Sequence, residues 1–333
     1  MRFLVPSFLQ GKSILITGGT GSFGRRFVKT VLAKHDPSRV VVFSRDELKQ
    51  YEFQNELGSD QRVRFFIGDV RDRDRLLRAF DQVEIVVHAA ALKQVPAAEY
   101  NPFEAVKTNI YGAQNVIDAA LDRGVSRVIA LSTDKASSPI NLYGATKLVS
   151  DKLFVNANAY AGSHETRFGV VRYGNVVGSR GSVVPLFRKL AATGVIPITD
   201  DRMTRFWITL DQGVQFVIDM LERMHGGELF VPQIPSMRVV DLARAIAPEA
   251  KLEITGIRPG EKLHEEMISL DDARRTLTGD GFYVIQPDAD WWLQSGRPAG
   301  WANALPVAEG FRYTSDTNTK WLTIEQLRDM ADA

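Results

Sequence analysis

The 333-residue sequence contains no cysteine, which excludes disulfides, thiolate metal sites and a cysteine nucleophile together. It also lacks a charge excess of either sign: 41 Lys+Arg against 40 Asp+Glu leave a formal net charge of +1. With no basic surplus there is no electrostatic reason to expect nucleic acid or an anionic membrane as partner. No apolar stretch approaches the ~20 residues that span a bilayer. Met1 to Gln10 show neither the basic start nor the apolar run of a secretory signal. Together with the missing cysteines, this points to the cytoplasm. His35, His88, His164, His225 and His264 are scattered without paired ligand spacing, so no metal site is expected.

What is present is a long, ordinary globular composition, 44% hydrophobic and 24% charged. From Ser13 to Tyr173 short apolar runs alternate with helical stretches. The runs are Ser13–Thr17, Arg39–Ser44, Val63–Ile67, Ile85–His88, 127–131 and 168–173. They are almost wholly apolar, as strands covered on both faces should be. The intervening segments 23–35, 101–123 and 142–160 are long enough for crossover helices. The expectation is an α/β fold, a Rossmann-type doubly wound parallel sheet. Residues 1–174 are expected to form its dinucleotide-binding domain and 175–333 mainly a smaller substrate-binding lobe, with some of its segments free to return to the sheet. In that lobe helices are expected near 184–192, 211–223 and 239–247, with strands near 196–198, 229–231 and 251–255. Segment 276–310 resists assignment, and its Trp291-Trp292 pair reads as packing.

The first strand runs into Thr17-Gly18-Gly19-Thr20-Gly21-Ser22-Phe23-Gly24. Glycines at 18, 21 and 24 permit a tight turn, close approach to a pyrophosphate and close helix packing. The following helix turns its free N–H groups toward the phosphates. An acidic residue usually ends the second strand of an NAD site, but here Ser44 and Arg45 come first, with Lys49 a turn beyond. These cations favour the 2′-phosphate of NADP; the alternative leaves Arg45 in solvent and gives the ribose to Asp46. Asp69 and Val70 follow the third strand, where adenine would lie. His88 closes the fourth and reads as a core histidine. Ala89, Ala90 and Ala91 are small enough for the backbone to lie against the cofactor. Lys93 stands just beyond, for phosphate, substrate or solvent, and Asn109 reads as a backbone-bonding residue within its helix.

After the fifth strand come Ser132, Thr133, Asp134 and Lys135, then Tyr143 and Lys147 four residues apart on one helical face. A lysine ammonium beside a tyrosine would lower its pKa and let it take a hydroxyl proton as hydride leaves for a nicotinamide.

These residues resemble an extended short-chain dehydrogenase/reductase acting on nucleotide sugars. More narrowly, the blocks Ser132 to Lys135, Pro139 to Lys147, Val171 to Ser182, Met203 to Trp207 and Arg258 to Lys262 resemble the inverting UDP-N-acetylglucosamine 4,6-dehydratases that open pseudaminic acid biosynthesis. The resemblance implies NADP as cofactor, UDP-N-acetylglucosamine as substrate, a carbon–oxygen lyase reaction and self-association into a homo-oligomer. It implies that Tyr143 and Lys147 oxidise C4, and that Asp134 and Lys135, with Thr133, serve elimination and reprotonation. Retaining dehydratases generally carry an Asp-Glu pair there, so Lys135 is the distinguishing residue. Asn175 and the stretch holding Val183 and Pro185 are implied in substrate binding. Arg205 and Arg258 are the cations proposed for the diphosphate, Glu261 an acceptor for ribose, with Lys93, Thr133 and Thr199 as further contacts. His264, beside two glutamates, is expected on a helix surface. A 4-epimerase, a retaining dehydratase and a non-catalytic NADP-binding sensor are the competing readings.

Overall fold

Each of the first six apolar runs is a strand in the computed structural model, which describes residues 7–178, 183–289, 291–292 and 303–332. They are β1 (Ser13–Thr17), β2 (Arg39–Ser44), β3 (Val63–Ile67), β4 (Ile85–His88), β5 (Arg127–Thr133) and β6 (Arg167–Tyr173). All five residues of β1 are buried, because helices cover both faces of a parallel sheet. The order is β6-β5-β4-β1-β2-β3, all parallel, so the winding reverses between β1 and β4. At such a reversal a crevice opens beyond the carboxyl ends of the strands.

The later strands are β7 (Asn175–Val176), β8 (Val195–Ile198), β9 (Thr204–Ile208), β10 (Leu229–Pro232), β11 (Ser236–Arg238), β12 (Lys251–Ile254), β13 (Glu266–Ile268), β14 (Thr276–Thr278), β15 (Phe282–Ile285), β16 (Leu305–Pro306) and β17 (Tyr313–Thr314). β10 joins β6 in parallel, and β15, β14 and β16 follow antiparallel, extending the main sheet to ten strands. The others form three small sheets, β11-β9-β7, β12-β8 and β13-β17. Around them Phe187, Ile196, Trp207, Leu242 and Leu327 make a separate apolar core. Trp291 and Trp292 meet edge-on at 5.9 Å, with Trp292 buried.

Two local expectations are corrected. The stretch 101–123 is not one helix. Pro102 starts the helix Pro102–Val106, a wider turn follows at Lys107–Tyr111, and Gly112–Asp122 continues. Wide turns of this kind occur often at functional sites. This one seats Asn109, whose amide leaves its helix and clamps Leu92, accepting from its N–H (2.8 Å) and donating to its carbonyl (2.9 Å). His264 lies in a bend and not on a helix, with Nδ1 2.8 Å from Thr204 Oγ1.

Candidate active site

The glycine turn is built by close approach. A Cβ on Gly18, which has φ of +68°, would sit 2.9 Å from the Ala90 nitrogen; one on Gly24 would sit 2.5 Å from Gly19 Cα. Only glycine lets the β1 turn, the β4 loop and the helix Ser22–Lys34 meet. That helix has no acidic residue in its first turn, so its N-terminus stays positive toward the crevice.

The crevice is a cleft of about 530 Å³. It gathers Gly18, Thr20, Gly21, Ser22, Phe23, Gly24, Ser44, Arg45, Asp46, Lys49, Asp69, Val70, Ala89, Ala90, Ala91 and Lys93 with Thr133, Asp134, Lys135, Tyr143, Lys147 and Asn175. Residues from seven separate segments therefore face one space. Tyr173, stacked 6.4 Å from Phe23, and Leu210 also line it, and sequence reasoning passed over both.

At the adenosine end Thr20 donates to Ser44 Oγ (3.1 Å), and Gln50 donates to the Ser44 carbonyl (3.0 Å), fixing the end of β2. Asp46 caps the helix Glu47–Leu57 by accepting from the Lys49 N–H (3.0 Å) and also pairs with the Lys49 ammonium. Arg45 reaches Asp69 only at 3.4 Å and is half-exposed, while Asp69 is held more closely by Arg71 (2.7 Å). Its guanidinium can turn into the cleft at little cost.

At the other end, Asn141 caps the helix Leu142–Ala157 by accepting from Gly144 N–H at 2.8 Å. Gly144 is required there, since its Cβ would stand 2.1 Å from the Lys135 carbonyl oxygen. That contact sets Tyr143 beside the end of β5, where the Thr133 hydroxyl helps to hold its phenol down. Burial pushes the phenol up to about 12, and the Lys135 ammonium is the cation that most opposes this shift. Lys147 is buried, and burial lowers its pKa; among the described residues none hydrogen-bonds its ammonium. One turn on, Asp151 accepts from Ser132 Oγ (2.7 Å) and Arg172 (3.2 Å).

Asp134 is buried and accepts from Thr133 Oγ1 (2.9 Å) and Lys135 Nζ (3.0 Å) through Oδ1, while its Oδ2 has no partner. Burial, then the negative charge of Glu265, raises its pKa. Burial alone would lower Lys135, but Asp134 and Glu265 outweigh it and hold the ammonium well above its ordinary range. Glu265 (Oε1 3.1 Å from Lys135 Nζ) was missed by sequence reasoning, which noted it only as a neighbour of His264. Spacing gives no signal for it.

The remaining expected contacts do not line the cleft. Val183 and Pro185 open the helix Val183–Ala191, Val183 half-buried against the core around Phe187 and Trp207 and Pro185 exposed. Thr199 directs its hydroxyl to Met203 Sδ (3.3 Å). Arg205 is buried, donating to the carbonyls of Thr204 (2.7 Å), Leu263 (3.1 Å) and Lys262 (3.0 Å). Arg258 is exposed, its carbonyl accepting from Glu261 N–H (3.1 Å), and the Glu261 carboxylate lies 3.5 Å from Arg205. His88 is a buried partner of Thr17 (2.8 Å). Among the described residues no cluster could hold a metal ion, and no helix is long and apolar enough to cross a membrane.

The polysaccharide biosynthesis protein family matches residues 14–287. Over 328 residues the chain is 56% identical to the UDP-N-acetylglucosamine 4,6-dehydratase (inverting) of Campylobacter jejuni subsp. jejuni serotype O:23/36 (strain 81-176), spanning 96% of this chain and 97% of that one. It is 39% identical over 333 residues to a UDP-glucose 4-epimerase of Rickettsia akari (strain Hartford), spanning 96% and 95%. The X-ray structure of Pen from Bacillus thuringiensis superposes with a TM-score of 0.89 at 38% identity, covering 97% of this chain and 98% of that one.

Proposed function

The chain belongs to the polysaccharide biosynthesis protein family, and from that premise we propose that it is an inverting UDP-N-acetylglucosamine 4,6-dehydratase. The product is UDP-2-acetamido-2,6-dideoxy-β-L-arabino-hex-4-ulose, an L-series sugar suited to pseudaminic acid synthesis. The observation that carries this reading is a second acid–base set, Asp134 and Lys135, in the same cleft as Tyr143 and Lys147. An epimerase needs only the tyrosine and its lysine.

The residues present fit a dinucleotide. The turn at Gly18 and Gly24 has no room for side chains, and the Lys147 side chain is buried while none of the described residues hydrogen-bonds its ammonium, as suits a group meant for ribose hydroxyls. Ser44, Arg45 and Lys49 would hold the 2′-phosphate of NADP, with Asp69 and Val70 at the adenine and Ala89, Ala90 and Ala91 along the chain of the cofactor. A nicotinamide bound there supplies a hydride acceptor for C4 and a donor for C6. Tyr143 takes the C4 hydroxyl proton, its phenolate opposite the Lys135 ammonium. The C4 ketone acidifies the C5 hydrogen. Asp134 and Lys135 then handle the protons of elimination, one leaving C5 and one reaching the departing C6 oxygen, which leaves as water. Reprotonation at C5 on the opposite face converts the D series to the L series. Asn175, with its buried Oδ1 unpartnered, serves the sugar. Val183, Pro185, Thr199, Arg205, Arg258 and Glu261 stand outside the cleft, so a part in substrate binding rests for them on the resemblance, with Arg205 acting by holding the Lys262 segment.

Incubation with UDP-N-acetylglucosamine in deuterated water, read by NMR, tests the assignment. The early product should be L-arabino, with one solvent deuteron at C5. A D-xylo product formed directly would make the protein a retaining dehydratase. A C4 epimer that keeps its C6 oxygen would make it an epimerase.

A further inference from the structure

Glu265 comes from a part of the chain remote from the catalytic strand and does not line the cleft. It immediately precedes β13 and is fixed by Ser315, whose Oγ accepts from the Glu265 N–H (2.9 Å) and whose own N–H donates to the Glu265 carbonyl (2.8 Å). Its side chain is 2% exposed. From behind Lys135 it completes a pair of carboxylates on one ammonium: Nζ is 3.0 Å from Asp134 Oδ1 and 3.1 Å from Glu265 Oε1.

The surrounding charges leave this arrangement little freedom. Arg205 Nε stands 3.8 Å from the same Glu265 oxygen, but its NH1 and NH2 already donate to carbonyls. Lys262 donates to the Ser137 carbonyl (2.6 Å), Glu261 faces Arg205, and Glu266 is paired with Arg312 (2.6 Å). Tyr143 completes the set from its helix. Each of the two buried carboxylates stabilises the Lys135 ammonium, so removing one charge makes its proton easier to lose. Oδ2 of Asp134 and Oε2 of Glu265 are both buried without a hydrogen-bond partner among the described residues, but of the two carboxylates Asp134 lines the cleft and Glu265 does not.

We propose that Glu265 is a positioning residue: by fixing Lys135 Nζ against Asp134 from outside the cleft, it sets the pH range over which the Asp134–Lys135 pair exchanges protons during the reaction. The proposal rests on the dehydratase reading above. Burial and the charge of Glu265 both raise Asp134, so the direction of change on removing that charge is set.

The test compares Glu265→Gln and Glu265→Asp with the unmutated enzyme, using UDP-N-acetylglucosamine and following kcat and KM across pH. Glutamine keeps an oxygen for Lys135 but removes the charge. The limb of the kcat profile that the Asp134–Lys135 pair sets should move to lower pH by about one unit or more, because a unit charge a few ångströms away at an effective dielectric of ~20 is worth at least that. KM should stay within about twofold, since Glu265 lies behind Lys135 and not in the cleft. Aspartate keeps the charge but draws it back by one methylene, so the limb should move the same way by a smaller step. This second variant keeps the proposal testable if the glutamine variant does not fold. An unmoved profile in a folded variant, with or without loss of rate, would overturn the proposal, as would a raised KM at unchanged kcat. Absence of any dehydration product from the unmutated enzyme would instead overturn the functional reading itself.

Discussion

At Tyr143 burial and a neighbouring ammonium pull in opposite directions, and burial wins: the phenol stands at about 12. The sequence motif pairs this tyrosine with Lys147, yet the ammonium that chiefly offsets burial is that of Lys135. Two lysines thus divide the work, Lys135 near the phenol and Lys147 near the expected ribose. Tyr143→Phe should block C4 oxidation and lower dehydration by about 10²–10⁴-fold, the scale of a general base, with the fold retained. Lys135→Ala should leave oxidation possible while elimination stalls, so reduced nicotinamide should build up on the enzyme, visible by its absorbance. Near-normal dehydration by Lys135→Ala would remove the distinguishing role given to that residue. At the far end of the cleft, Arg45→Ala should narrow the preference for NADP over NAD by about 1–3 kcal/mol, measured by titration calorimetry. Equal affinities in the unmutated protein would contradict the argument from Ser44, Arg45 and Lys49. These residues could be read from the sequence because local spacing carries them: glycines at a strand end, cations at the next, a tyrosine and lysine one helical turn apart. Glu265 could not, because nothing near it in the chain announces what lies across the fold.

Elements set these side chains, and two junctions can be tested. The helix Leu142–Ala157 rests on the Lys135 backbone through Gly144, where a Cβ would meet the carbonyl oxygen at 2.1 Å. Gly144→Ala must push the helix off, carrying Tyr143 with it. Activity should fall by about 10²-fold or more even if the variant melts cooperatively, since a misplacement near 1 Å costs that much. The second junction joins β1 to β4 through Thr17 and His88. Burial, with Lys147 nearby, depresses His88 to about 3 from the ordinary 6.5. Between those values the unfolded chain binds a proton that the folded chain refuses. Stability should therefore be complete above about pH 6.5 and fall as pH drops toward 3, by up to about 1.4 kcal/mol per unit from this group. His88→Gln should cost stability at neutral pH but decline less steeply on the acid side. A constant difference between the two proteins across that window would show that His88 is not held neutral. Strands β1 to β4 are legible to the residue because each is a short apolar run bounded by polar ends. The break at Lys107–Tyr111 is not, since an amphipathic pattern continues through it and only the tertiary demand of Asn109 on Leu92 explains the wider turn.

Across the whole molecule, the last chain segment reaches back to the catalytic strand. Tyr313 packs 4.6 Å from Phe206 and its hydroxyl exchanges hydrogen bonds with Ile234, anchoring β17. β17 pairs with β13, and Ser315 just beyond it holds both Glu265 and Thr204 (2.7 Å). The second half of the sequence was legible as helices and a few strands, but β13 and β17 are three and two residues long. Such strands have no periodicity to detect, and their pairing joins residues nearly fifty positions apart. The consequence is a division that one substitution can expose. Ser315→Ala leaves the buried Glu265 N–H without a partner, which should cost about 1–3 kcal/mol and lower the melting temperature by a few degrees. Glu265 then loses its anchor, and Lys135 one of the two carboxylates that fix it. The residues proposed for the dinucleotide lie elsewhere in the chain, from Gly18 to Lys147, whereas the hydrogen bonds of Ser315 go to Thr204 and Glu265. NADP affinity should therefore remain within about twofold while kcat for dehydration falls, a split read by calorimetry on one side and NMR of the sugar product on the other. Parallel loss of both would mean that the tail supports the sheet as a whole, and equal retention of both that the path through Ser315 and Glu265 carries nothing to Lys135.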